Sequence, residues 1–200
     1  YMGAKVTKAT LQVIDAFTTG DVALAQQVID EDQVINQLRF EIEDRCFTLL
    51  ATQQPAAIDL RTVVTALNII TDLERMGDYA KGIGEIVIRT DGQNLSLPQL
   101  KIPQMAETVC GMLETALDAF VEGDVKKAQS VFDLDDHVDH MYRGIFEAVI
   151  QSMVDRDQGV QRGMYLLFAA HNLERIGDRV TNIGERVIFM QTGVMAEKNL

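Results

Sequence analysis

Tryptophan is absent from this chain of 200 residues, cysteine occurs twice, proline three times, and aromatic residues make up only 6%. Cys46 and Cys110 stand alone, with no second thiol or histidine at a metal-ligand spacing. They read as small buried hydrophobes and fit a reducing, cytoplasmic compartment. Long apolar runs are missing as well. The longest, Met164 to Ala170, falls far short of the roughly 18 residues of a membrane span, and no basic-then-apolar signal segment opens the chain. A soluble protein without direct membrane insertion is expected. Positive charge is in deficit, 18 basic residues against 30 acidic for a net charge of -12. That balance argues against nucleic acid, whose binding draws on Lys and Arg displacing counterions, and against anionic membrane surfaces. There is also no glycine-rich phosphate loop, no Ser/His/Asp or Cys/His set with local support, and no convincing catalytic base.

What is present is an ordinary globular composition, 47% apolar and 24% charged, long enough for one large or two small domains. Apolar residues recur at helical spacing almost throughout. One run holds Leu60, Val63, Leu67 and Ile70, and a neighbouring stripe holds Leu73, Met76, Ala80, Ile83 and Val87. No alternating strand pattern competes. Turn signals at Gly20-Asp21, Gln54-Pro55, Asp91 to Pro103, Gly123-Asp124 and Asp155 to Gly159 divide the chain into six helices. They are expected at 4–19, 21–53, 56–91, 104–122, 124–154 and 158–192, with Pro55 just before the third, where its missing N–H and fixed φ suit a first turn. The chain opens on Tyr1 inside a helical pattern, so its natural N-terminus is expected upstream and its first bundle incomplete.

The two halves repeat each other. Ala16-Phe17-x-x-Gly20-Asp21-Val22-x-x-Ala25-Gln26-x-Val28-x-Asp30-x-Asp32 matches the segment 103 residues later, ending at Asp135, with ten identities in seventeen positions. The offset then becomes 100: Leu73-Glu74-Arg75-x-Gly77-Asp78 and Ile83-Gly84-Glu85-x-Val87-Ile88 match Leu173-Glu174-Arg175-x-Gly177-Asp178 and Ile183-Gly184-Glu185-x-Val187-Ile188. The expected architecture is therefore all-α: two tandem, internally repeated three-helix bundles of long antiparallel helices. Residues 1–92 form the first repeat, 93–103 the linker and 104–200 the second. Apolar stripes on more than one side of 60–88 exceed what three helices can bury, which predicts a homodimer or higher oligomer.

Acidic residues carry the chemistry. Glu74 and Asp78 share a helix face, as do Glu174 and Asp178. One such pair usually means a solvated face, but like charges at this spacing mildly destabilise a helix, and here the pair recurs at equivalent points of both halves. Glycines at 77, 84, 177 and 184 each cost about 1 kcal/mol of helix stability against Ala, so something there needs close backbone approach. In an antiparallel hairpin turning at Gln54-Pro55, Asp32 stands level with Asp78 and Asn36 with Glu74, about 22 residues or ~33 Å from the turn. The second half repeats this with Asp135 level with Asp178 and Asp139 with Glu174, about a turn near Asp155 to Gln158. Four oxygen side chains across an interface of about 8–10 Å repel unless protonated or neutralised by a cation. A bound metal is the economical solution, and bridging carboxylates can hold more than one ion. The other reading is a pair of solvated acidic stripes partly paired with Arg75 and Arg175. His137, His140 and His171 lie near the second set and read as surface or interface residues, since the first half lacks histidine there. The Glu-x-x-His pairs of a ferritin-like di-iron oxygenase do not occur.

Taken together, Leu73-Glu-Arg-Met-Gly-Asp, Leu173-Glu-Arg-Ile-Gly-Asp, the run Gln53-Gln-Pro-Ala-Ala-x-Asp-Leu-Arg61 and the duplicated layout resemble the PhoU family of phosphate-uptake regulators over essentially the whole chain. The resemblance implies a cytoplasmic, non-enzymatic, all-helical regulator carrying multinuclear metal clusters of iron, zinc or another divalent cation. It further implies negative regulation of phosphate-starvation signalling and restraint of uptake. The implied partners are the ATPase of the phosphate ABC transporter (PstB-like) and a phosphate-sensing histidine kinase (PhoR-like). Carried over by position, the ligands are Asp32, Glu74 and Asp78, then Asp135, Asp139, Glu174 and Asp178. Asn36 departs from the acidic residue expected at its place. A carboxylate-bridged metalloenzyme, such as a hydrolase with metal-bound water, stays open as an alternative.

Overall fold

The computed structural model describes residues 1–93, 95, 100–154 and 159–194. The turn at Asp155 to Gln158 and part of the linker, including Pro98, lie outside the described residues. Six helices follow one another: α1 (Met2–Thr19), α2 (Val22–Gln53), α3 (Ile58–Arg89), α4 (Ile102–Glu122), α5 (Val125–Val154) and α6 (Val160–Thr192). Among the described residues there is no strand.

The repeated Ala-Phe-x-x-Gly-Asp segment is a helix stop followed by a helix start. Gly20 and Gly123 take the left-handed conformation, and their N–H groups bond to Ala16 O and Ala119 O, closing α1 and α4. The aspartate that follows caps the next helix. Asp21 accepts from Leu24 N at 2.9 Å, and Asp124 accepts from Lys126 N and Lys127 N at 2.8 and 3.1 Å. Pro55 does not occupy a first helical turn. Gln54 and Ala57 both have positive φ, and the backbone becomes helical only at Ile58, so Pro55 sits in the connection. Pro103 takes the early position instead, in the first turn of α4.

One hydrophobic cluster runs through all six helices. In the first half α1 and α2 pack on α3; in the second, α4 and α5 pack on α6. The halves join where α3 lies antiparallel on α6, a contact as extensive as that of α3 with its own hairpin partner α2, and where α1 lies on α4. The second apolar stripe of 60–88 is thus covered from within the chain, and the stripe argument for an oligomer loses its premise. Leu73, Met76, Ala80, Ile83 and Val87 are all buried, whereas Leu60 is 41% exposed. Truncating a fully buried member such as Met76 or Leu173 to Ala costs about 2–5 kcal/mol. Cys110 is buried, and burial raises its thiol pKa to about 12, but Cys46 is only half-buried. Because α1 and α4 are shorter than the hairpins they cover, the distal halves of α2 and α5 keep Phe40, Phe47, Phe146 and Ile150 exposed.

Candidate metal sites

Glycine sets the crossings that hold the acidic residues. A Cβ on Gly77 would lie 3.1 Å from Asp32 Oδ1, and one on Gly177 would lie 3.4 Å from Asp135 Oδ1. About two helical turns on, a Cβ on Gly84 or Gly184 would come within 3.3 or 3.0 Å of the carbonyl of Ala25 or Ala128. The four helical glycines let α2 approach α3, and α5 approach α6, closely enough to bring an aspartate over the partner backbone. Asp32 and Asp135 are accordingly 3% and 5% exposed, buried rather than lying on a surface stripe. Asp78 and Asp178 keep 39% of their side chains in solvent.

In the first half the structure brings together Asp32, Asn36, Glu74 and Asp78, and with them three cations. Asn36 Nδ2 donates to Asp32 Oδ2 at 3.0 Å, and Lys81 Nζ approaches the same oxygen at 3.5 Å. Arg39 pairs with Glu74 at 3.4 Å, and Arg75 reaches Asp78 at 3.2 Å and Glu74 at 3.5 Å. Three carboxylates therefore face three positive groups of the same half. Two buried oxygens, Asp32 Oδ1 and Glu74 Oε2, still lack a hydrogen-bond partner.

The second half keeps the arginine but not the other two cations. Arg175 reaches Asp178 at 3.1 Å and Glu174 at 3.9 Å, reproducing Arg75. The positions matching Arg39 and Lys81 are Tyr142 and Thr181, both uncharged. Burial together with Asp178, Asp139 and Asp135 raises the Glu174 carboxyl to about 7, against the pull of Arg175. Asp178 is raised too, chiefly by burial, with Asp135 adding to it. Glu174 Oε2 is buried without a hydrogen-bond partner, although His171 Nδ1 stands 3.3 Å away. A groove of about 390 Å³ opens here, lined by Asp135, Asp139, Asp178 and Glu185 beside Arg175 and Arg179. His171 packs near the Tyr142 ring, and its own pKa is lowered by burial and by Arg175. His137 and His140 line a different groove, with Lys101 and Gln104.

A divalent cation fits this donor set by charge and by ligand chemistry: hard oxygen donors, mutual repulsion that raises their proton affinity, and buried oxygens with nothing bonded to them. As the side chains stand, no three His, Cys, Asp or Glu among the described residues form a ready metal-binding group. Arg175 and Arg75 lie against the acids, so admitting an ion requires them to swing outward. Arg39, Lys81 and Tyr142 carry no mark in the sequence pattern of the site, whereas His171, read from the sequence as a surface or interface residue, stands against Glu174. The signal available for the first three was a difference: positions where the two halves stop matching.

Fold and site together define a class, a duplicated bundle of helices with an acidic site on each long hairpin. A family model described as the PhoU domain matches residues 1–87 and again 102–187, and the chain belongs to the PhoU family. A relative from Caulobacter vibrioides, named phosphate-specific transport system accessory protein PhoU homolog, is 39% identical over 96% of this chain and 84% of its own length. A relative of the same name from Clostridium acetobutylicum is 36% identical over 99% of this chain and 91% of its own. The crystal structure of PhoU from Pseudomonas aeruginosa superimposes with a TM-score of 0.89 at 33% identity, covering 96% of this chain and 93% of that one. That of the phosphate transport system regulatory protein PhoU from Streptococcus pneumoniae gives 0.90 at 31%, covering 98% and 92%.

Proposed function

We propose that this protein is a non-enzymatic regulator of phosphate transport whose acidic grooves bind divalent cations, the second half more tightly than the first. The names of its relatives support the role in phosphate transport. One observation carries the cation: a buried Glu174 oxygen without a hydrogen-bond partner, beside a groove lined by Asp135, Asp139 and Asp178, whose charges raise the proton affinity of Glu174. Asp135, Asp139, Glu174 and Asp178 would hold the tighter ion, or a multinuclear cluster of iron, zinc or another divalent metal. Asp32, Glu74 and Asp78, with the amide oxygen of Asn36, would hold a weaker one. The regulator works in the cytoplasm, and no helix among the described residues is long and apolar enough to cross a membrane. It acts on the transporter ATPase and on the sensor histidine kinase to restrain uptake and damp starvation signalling. A homodimer belongs to this proposal as well, and the surface left for it is the exposed apolar residues on the distal hairpins.

Elemental analysis of the purified protein, with reciprocal pull-down of the transporter ATPase by wild type and by Glu174→Ala/Asp178→Ala, tests the reading. Bound metal that is lost in the variant together with restraint of phosphate uptake supports it. A metal-free wild type that still restrains uptake contradicts the cation half. Light scattering at micromolar concentration checks the dimer, and a monomer mass overturns it.

A further inference from the structure

The seam between the halves carries a buried charged contact, Asp72 with Arg179, that the internal repeat does not duplicate. α3 and α6 run antiparallel along it, with Arg61 Nε donating to Met190 O at 2.8 Å and Thr65 Oγ1 to Arg186 O at 3.5 Å. Further along, Asp72 of α3 is 8% exposed and accepts through Oδ1 from Arg179 Nη1 and Asn182 Nδ2 of α6, both at 3.3 Å. The Tyr79 hydroxyl of α3 lies beside the same guanidinium and raises its pKa. The repeat that relates the halves puts Asn172 in place of Asp72, Tyr79 in place of Arg179 and Gly82 in place of Asn182. The matching location therefore has none of these charges.

Arg179 also lines the second acidic groove, next in sequence to Asp178, and its charge acts on that carboxylate against the burial that raises it. It stands between two anionic neighbourhoods: Asp72 in the first half, and the groove in its own. A buried carboxylate such as Asp72 keeps its charge only with partners in place, so it holds the guanidinium firmly. If Asp72 lost its charge, the counter-charges left to Arg179 would be the carboxylates of the groove it lines, among them Asp178, on which its charge already acts. Arg179 would then do for the second groove what Lys81 does for Asp32 in the first.

We propose that Arg179 is a positioning residue for the second groove: the first half, through Asp72 and Tyr79, draws its guanidinium off the carboxylates and so sets how tightly that groove takes a divalent cation. This rests on the cation reading given above. A guanidinium leaning into the groove competes with the ion for the same oxygens, and one clamped to α3 does not. Each half thereby has a hand in the second site, while Tyr79 and Asn172 give the first site no equivalent tie.

The test is calorimetric titration of Mn²⁺ into the whole chain for wild type, Asp72→Asn, Arg179→Gln and the double variant, with circular dichroism confirming helicity. Asp72→Asn is expected to weaken the tighter phase about tenfold, the scale at which supporting residues act on a metal site. Arg179→Gln is expected to tighten it, and Asp72→Asn in the Arg179→Gln background to have no effect. A residue that only held the seam together would weaken binding in both single variants. Asn172→Ala, at the matching location, leaves both phases unchanged. Wild-type affinity in Asp72→Asn, or the same loss with and without Arg179, overturns the proposal while leaving the cation site intact. A wild type that takes up no Mn²⁺ overturns the cation reading itself, and this proposal with it.

Discussion

The two acidic sites share a backbone and differ in their counter-charges. Both place an aspartate over a glycine at a helix crossing and both carry an arginine three residues before the outer aspartate. The first adds Arg39 and Lys81, so that it is electrically balanced by its own side chains. The second has Tyr142 and Thr181 there and Asp139 where the first has Asn36, and its Glu174 carries a carboxyl pKa of about 7. A duplicated scaffold has thus kept one acidic geometry with two different charges. Buried carboxylates must be neutralised by a built-in cation, by a proton or by a bound ion, and the halves differ in which of these is supplied.

Moving the counter-charges should move the difference with them. Arg39→Tyr with Lys81→Thr gives the first half the residues of the second, and its affinity for Mn²⁺ is expected to rise by about tenfold or more, read by calorimetry. The same exchange withdraws Lys81 from the buried Asp32, so the metal-free variant should melt below wild type and regain the loss when Mn²⁺ is added. Unchanged first-site affinity would mean that Lys81 and Arg39 do not occupy the space of an ion.

The next effect is on stability and depends on pH. Glu174 binds its proton more tightly in the fold, at about 7, than its ordinary value of 4.5. A raised carboxyl favours the fold fully below 4.5, and that advantage is lost as the pH rises through 7. Metal-free wild type should therefore lose stability between these values, while Glu174→Gln, which cannot ionise, loses less and melts about 3 °C higher at pH 8. Parallel melting curves in EDTA from pH 4 to pH 8 would contradict the raised carboxyl. Cation binding near pH 7 should also release protons, visible as binding heats that depend on the buffer's ionisation enthalpy.

The smallest expected change is at Asn36, whose amide donates to Asp32. Asn36→Asp adds a charge but removes that donor, so its gain in first-site affinity should be a few-fold only, and larger in the Lys81→Thr background. No gain in either background would mean that position 36 does not face the ion.

Much of this was legible in the sequence because helices repeat with a fixed period and their ends carry chemical markers. Gly20-Asp21 and Gly123-Asp124 mark stops and starts through a left-handed glycine and a capping carboxylate, and both were placed within a residue or two. The level pairing of Asp32 with Asp78 follows from counting back from a turn, and Gly77 confirms the crossing. Pro55 precedes the third helix as expected, but the helix starts at Ile58 rather than at 56, because the positive φ at Gln54 and Ala57 that delays it leaves no mark in the residue types. The covering of α3 by α6 was missed for a different reason: periodicity shows that a stripe is apolar but not which helix buries it. The cations at Arg39 and Lys81 come from side-chain reach across a crossing, and helix rotation, which spacing alone does not fix, decides where they point.

The central claim, that the second groove is the tighter cation site because the first is neutralised by its own chain, meets its most direct test in one titration. Mn²⁺ is added to Glu74→Ala/Asp78→Ala and, separately, to Glu174→Ala/Asp178→Ala, both kept at neutral pH. The account predicts that the tighter phase survives in the first variant and vanishes in the second. Retention of the tighter phase in the protein lacking Glu174 and Asp178 would contradict it.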